Sequence, residues 1–191
     1  CIFIRLTGCN LRCVWCDTTE AFTGGSRMTV AEACERVLAF GTGVVELTGG
    51  EPLLQPAALP LLKALCDAGR TVLLETSGAL DVAGIDPRVH RIVDLKAPGS
   101  GEAGRNRFDN LPLLGPKDEV KFVLRDRADY EWMRALIAEH GLAEGPVGLL
   151  AAPVHGCLDP RDLAAWLLAD RLPVRLNLQL HKYLWGSDAT G

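Results

Sequence analysis

Short β-rich segments alternate with amphipathic helical ones along most of this 191-residue chain, and a polar motif follows nearly every one of the strands. Strands are expected at 2–6, 44–48, 71–75, 91–94, 120–124, 147–151 and 174–178. Helices are expected at 29–40, 57–68, 127–140 and 159–168. The first helix carries Val30, Ala33, Cys34, Val37 and Leu38 on one face, and Thr29 with Glu32 has the spacing of a capping box. Pro56 lies near the start of the second and Gly69 just beyond its end. Residues 98–114 are rich in Gly, Asn and Pro, and no strong helix is expected there. Repeated strand–helix units favour a parallel sheet with right-handed crossovers. The expected fold is therefore α/β.

The polar motifs share one position within these units. Cys9, Cys13 and Cys16 follow the first strand, and Gly49-Gly50-Glu51-Pro52 follows the second. Glu75-Thr76-Ser77-Gly78 ends the third and Asp94-Leu95-Lys96 the fourth. Pro153 and His155 follow the sixth; Gln179 and His181 follow the last. Parallel α/β folds bind ligands at the carboxyl ends of their strands. No GxGxxG opens the chain, so a modified, partial TIM-like barrel fits better than a doubly wound sheet.

A hydrophobic fraction of 48% suits one compact domain with a sizeable core. A formal net charge of −4 offers neither a nucleic-acid groove nor a polybasic membrane patch. The apolar runs are too short to span a bilayer. Seven cysteines, an odd number without the spacing of a disulfide scaffold, point to a reducing cytoplasm. Cys34 and Cys66 read as buried core thiols, and Cys157 as incidental. No signal peptide is read. The chain opens on Cys1 inside a strand, so a short N-terminal segment is expected to precede a single domain at 1–191.

Three thiols on the loop Cys9-Asn10-Leu11-Arg12-Cys13-Val14-Trp15-Cys16 are poorly explained by packing. Thiolates suit iron or zinc. A structural zinc would close with a fourth ligand, which Asp17, Cys1 or a distant histidine could supply. An iron–sulfur cluster held by three thiolates instead keeps one iron open to a small molecule. A non-catalytic iron–sulfur electron carrier would use the same ligands.

The spacing C-x3-C-x2-C followed by GGEP resembles the signature of radical S-adenosylmethionine enzymes. The resemblance narrows to the 7-carboxy-7-deazaguanine synthase family through several further runs. These are Phe3-Ile4-Arg5-Leu6, Trp15-Cys16-Asp17-Thr18, Glu75-Thr76-Ser77-Gly78, the stretch from Asp94-Leu95-Lys96 to Gly101, and Gln179-Leu180-His181-Lys182. It covers essentially the whole chain. The family's Gln-Gly-Glu-Gly segment, which touches substrate, would precede Cys1.

The resemblance implies a modified partial barrel of the radical SAM type, with a reduced helical complement. It implies a 4Fe-4S cluster on Cys9, Cys13 and Cys16, with S-adenosylmethionine on the fourth iron. Trp15, Cys16, Asp17, Gly49, Gly50, Glu51, Asp94, Leu95, Lys96 and His155 would contact that cofactor. Thr18 would ligate Mg²⁺, and Arg5, Thr48, Glu75 and His181 would contact substrate. Plainer readings stand beside these: core packing for Trp15, a cap for Thr18, loop structure for His155, and ion pairs for Glu75 and for Asp94 with Lys96.

The implied reaction is the conversion of 6-carboxy-5,6,7,8-tetrahydropterin to 7-carboxy-7-deazaguanine with loss of ammonia. A 5′-deoxyadenosyl radical would start it by taking hydrogen from C6. A flavodoxin or ferredoxin would supply the electron, and a homodimer is expected. A glycyl-radical-enzyme activase would share the cluster and GGEP but needs a protein substrate. The run Cys16-Asp17-Thr18 and the tail 179–182 argue against it.

Overall fold

A computed structural model describes residues 1–186; residues 187–191, the end of the expected domain, lie outside them. The chain divides into two compact units. One comprises Cys1–Leu11, Thr18–Val93 and Arg107–Leu113; the other comprises Arg12–Asp17, Asp94–Asn106 and Leu114–Gly191.

The first unit holds β1 (Ile2–Leu6), β2 (Val44–Gly49), β3 (Thr71–Thr76) and the start of β4 (His90–Lys96), each parallel to the strand before it. Two helices join them, α1 (Val30–Ala39) and α2 (Ala58–Asp67). α1 begins where expected because its capping box closes. Thr29 Oγ1 accepts from Glu32 N at 3.2 Å, and the Glu32 carboxylate accepts from Thr29 N at 2.7 Å. Its apolar face is shallower than its spacing suggests. Val37 alone is buried, Leu38 is exposed and Cys34 is only half-buried, so the expected core role of Cys34 is corrected. α2 packs better: Leu61, Leu62, Leu65 and Cys66 are buried, with Val45, Leu47, Val72 and Leu74 in the strands.

The second unit takes the end of β4 from Asp94, then β5 (Glu119–Leu124), β6 (Gly148–Pro153) and the two-residue β7 (Arg175–Leu176). β5, β6 and β7 are parallel. α3 (Arg127–Glu139) and α4 (Pro160–Ala169) pack on β5 and β6. Asp126 caps α3 by accepting from Ala128 N and Asp129 N, and Asp159 caps α4 ahead of Pro160. Phe122, Tyr130, Met133, Ile137 and Leu163 form the centre of this core. A last helix, α5 (Leu180–Trp185), stands where the sequence suggested only a polar tail.

Among the described residues, no α-helix links β3 to β4 or β4 to β5. The second gap is filled by 3₁₀ segments at Pro98–Ser100, Ala103–Arg105 and Phe108–Leu113, in keeping with its Gly and Pro content. This is the reduced helical complement expected of the fold. No helix among the described residues is long and apolar enough to cross a membrane.

Candidate active site

In the first unit the turn after β2 is shaped by close backbone approach. Gly49 has φ +133°, and a Cβ there would lie 2.0 Å from Leu6 O; one on Gly50 would lie 2.2 Å from Gly8 O. Only glycine fits both places. The turn is thereby held against the start of the cysteine loop, with Gly50 N donating to Leu6 O at 3.0 Å and Glu51 N to Gly8 O at 2.8 Å.

The Glu51 side chain is turned inward. Its carboxylate has no exposed surface and accepts from Leu53 N, Thr76 Oγ1, Ser77 N and Ser77 Oγ at 2.6–3.0 Å. The side chain ties the end of β2 to the end of β3 and has no surface to offer a ligand. Thr76 and Ser77, part of the Glu75–Gly78 motif, are its partners.

Three of the expected substrate residues share a row. Arg5 pairs in register with Thr48, and the Leu47–Leu74 pair sets Thr48 level with Glu75. Leu47 and Leu74 face the core, so Arg5, Thr48 and Glu75 point to the opposite face at the carboxyl edge. Thr18 is half-buried, just ahead of the 3₁₀ turn Thr19–Phe22, and its side chain does not cap that turn.

In the second unit Asp94 and Lys96 point the same way, as two-residue spacing requires. Lys96 Nζ donates to Asp94 Oδ2 at 2.9 Å, with both side chains largely buried. Asp94 Oδ1 is buried with no hydrogen-bond partner. An unpaired buried carboxylate oxygen is costly and marks a place for an outside donor. Leu95, between them, lies wholly in the core, so only its backbone could reach a ligand.

Burial opposes the charge on Lys96, but Asp94 and Cys13 outweigh it and raise its pKa, so it remains an ammonium. Burial likewise pushes the Cys13 thiol up; Lys96 pulls it down, while Asp94, Cys16 and Glu102 add to the rise. Cys9, Cys13, Cys16 and Trp15 are all half-buried. Among the described residues no three His, Cys, Asp or Glu side chains stand in a metal-holding arrangement. The donor chemistry nonetheless fits a cluster: three soft thiols on one loop, with a fixed ammonium and an unpaired carboxylate oxygen in the unit that holds Cys13 and Cys16.

Asp17 is engaged by the tail, accepting from Gln179 Nε2 and lying 3.5 Å from Lys182 Nζ. Its expected cofactor contact therefore competes with a role in seating α5. His181 Nε2 is buried without a partner, a second orphaned polar atom. His155 is exposed and edges onto the Tyr183 ring at 5.9 Å between centroids. It lines a cavity of about 600 Å³ with Pro153, Cys157, Leu178 and Gln179.

The family model described as the Radical SAM superfamily matches residues 3–142. This defines the class: a radical S-adenosylmethionine enzyme, which implies that cofactor and a 4Fe-4S cluster. A 7-carboxy-7-deazaguanine synthase of Chlorobaculum tepidum is 50% identical over 194 residues, covering 100% of this chain and 88% of that protein. One of Koribacter versatilis is 46% identical, covering 100% and 91%. The chain belongs to the 7-carboxy-7-deazaguanine synthase family. Among solved structures, QueE from Escherichia coli is similar with a TM-score of 0.68 at 22% identity, covering 93% of this chain and 84% of that one. Streptococcus suis SuiB bound to S-adenosylmethionine gives 0.67 at 16% identity, covering 93% and 49%. These likenesses show the fold: parallel α/β of the modified partial TIM-barrel type.

Proposed function

We propose that this chain converts 6-carboxy-5,6,7,8-tetrahydropterin to 7-carboxy-7-deazaguanine with release of ammonia, a carbon–nitrogen lyase step in queuosine and other 7-deazapurine biosynthesis. Identity of 50% along the whole chain to a 7-carboxy-7-deazaguanine synthase carries the reading. Residues 1–191 serve as one radical SAM domain.

Cys9, Cys13 and Cys16 would hold the cluster, which together with S-adenosylmethionine would supply the radical chemistry that removes hydrogen from C6 of the substrate. The ammonium of the cofactor's methionyl end needs acceptors. The N–H groups of Gly50 and Glu51 are already donated to Leu6 and Gly8, so the carbonyls of the turn are the groups for it. Asp94 Oδ1 accepts a ribose hydroxyl, and Lys96 holds Asp94 in place. Trp15 and His155 pack beside the cofactor.

Arg5 pairs with the substrate carboxylate, and His181 is a further substrate contact. Glu75 accepts from the amidine edge of the pterin, and Thr48 stands between Arg5 and Glu75 in the same row. Thr18 would supply a hard oxygen ligand to a Mg²⁺, whose charge would help to orient the substrate. The protein's task is to hold the ring, exclude water and keep C6 close to the radical carbon. A flavodoxin or ferredoxin delivers the electron, and the enzyme works as a cytoplasmic homodimer. It makes a free precursor, so contact with tRNA is not part of its task.

The test is anaerobic reconstitution with dithionite, S-adenosylmethionine, Mg²⁺ and the tetrahydropterin, with products read by mass spectrometry. The reading requires 7-carboxy-7-deazaguanine. Activation of a protein substrate in place of it would support the activase reading instead.

A further inference from the structure

The two backbone N–H groups that flank Cys13 are both held by the segment that follows β4. Arg12 N donates to Glu102 Oε1 at 2.6 Å, and Val14 N donates to Ser100 O at 3.0 Å. Neither bond is local: Arg12 and Glu102 are 90 residues apart in the chain. The segment that makes them is itself anchored. Ser100, wholly buried, donates from Oγ to Ala97 O at 2.6 Å and accepts from Glu102 N at 3.1 Å. Gly99 N donates to Oδ1 of the buried Asp129 at 2.8 Å, and a Cβ on Gly99 would lie 2.6 Å from Asp129 Oδ2. Arg125 N holds that second oxygen at 3.0 Å. A rigid path thus runs from the first turn of α3 through the 98–102 turn to both sides of Cys13.

We infer that Glu102 is a positioning residue that fixes the backbone of the cysteine loop, so that Cys13 presents its thiolate to the cluster without a search of loop conformations. A loop that ligates through a fixed backbone loses less entropy on binding. Glu102 touches neither cluster nor substrate in this role; it acts through Arg12. The inference rests on Cys9, Cys13 and Cys16 being the cluster ligands.

The experiment compares reconstituted wild type with Glu102→Ala and Glu102→Gln. Glu102 is only half-buried, so neither change opens the core, and thermal unfolding of each apoprotein checks this. Three readouts are taken: the rate of iron release to a chelator, amide hydrogen exchange at residues 12–14, and the unfolding midpoint. Glu102→Ala is expected to speed iron release several-fold and to deprotect Arg12, with the midpoint close to wild type. Glu102→Gln keeps an acceptor oxygen and is expected to restore protection and retention to within about twofold of wild type, since about 0.4 kcal/mol separates such rates. Iron release from Glu102→Ala at the wild-type rate would overturn the inference, as would Glu102→Gln failing alongside Glu102→Ala. A wild type that takes up no cluster would overturn the ligand assignment itself, a result distinct from either.

Discussion

At Glu51 a carboxylate with no exposed surface is surrounded by donors from Leu53, Thr76 and Ser77. Glu51→Gln would turn an amide NH₂ toward groups that themselves donate, at an expected cost of about 1–3 kcal/mol. Urea unfolding checks this, and the loss should appear in the apoprotein, before any cofactor is added. Thr18→Ala is expected to act later, leaving S-adenosylmethionine cleavage in place. Turnover of the tetrahydropterin should fall and lose its response to added Mg²⁺, which is read by titrating the metal in the product assay. Single residues were legible where their chemistry is local: the thiols of the loop, the Gly49-Gly50 pair and the same-side Asp94 and Lys96. The partners of Glu51 and the clamp of Glu102 on Arg12 were not, because pairings 25 and 90 residues apart leave no local pattern.

At the scale of elements, α3 shows how much of a boundary is set by its cap. Asp126 accepts from the second and third residues of the helix, and the backbone bond from Asp129, helped by Arg125, holds its carboxyl below the ordinary carboxylate range. Asp126→Ala should cost about 1 kcal/mol at neutral pH. The sign with pH follows from the depressed value. The stabilisation is present above the unfolded carboxylate value of about 3.9 and is lost as pH falls through the lower folded value. The gap in unfolding free energy between wild type and variant should therefore narrow in acid, and denaturant curves at several pH values measure it.

Caps of this kind made α1, α3 and α4 readable to within a residue or two. Elements set by packing were read less well. β4 runs His90–Lys96, longer than its apolar centre, because the strand continues through the polar Asp94 and Lys96. β6 reaches Pro153, a residue that usually argues against a strand. α5 leaves no clear pattern in the sequence because Gln179, His181 and Lys182 interrupt a short helix whose Leu180, Tyr183, Leu184 and Trp185 are exposed. The apolar spacing of α1 marks one face of the helix, yet its depth of burial depends on neighbours that spacing does not encode.

For the whole molecule, the strand–helix alternation was enough to specify a parallel α/β fold. The division into two compact units was not legible, since it interleaves segments distant in sequence, with Arg12–Asp17 grouped with residues from Asp94 onward. The same grouping places Cys13, Cys16, Lys96 and Asp94 in one unit, with Glu102 and the tail that carries His181. The proposed reaction directs a radical to C6 of a carboxytetrahydropterin and contracts its ring. The most direct measurement supplies substrate deuterated at C6 to the reconstituted enzyme and follows the label by mass spectrometry. The expected outcome is 7-carboxy-7-deazaguanine, with deuterium passing to the 5′ carbon of the adenosyl group. Release of 5′-deoxyadenosine with no deazapurine, or a deazapurine formed while the label never reaches the adenosyl group, would contradict it.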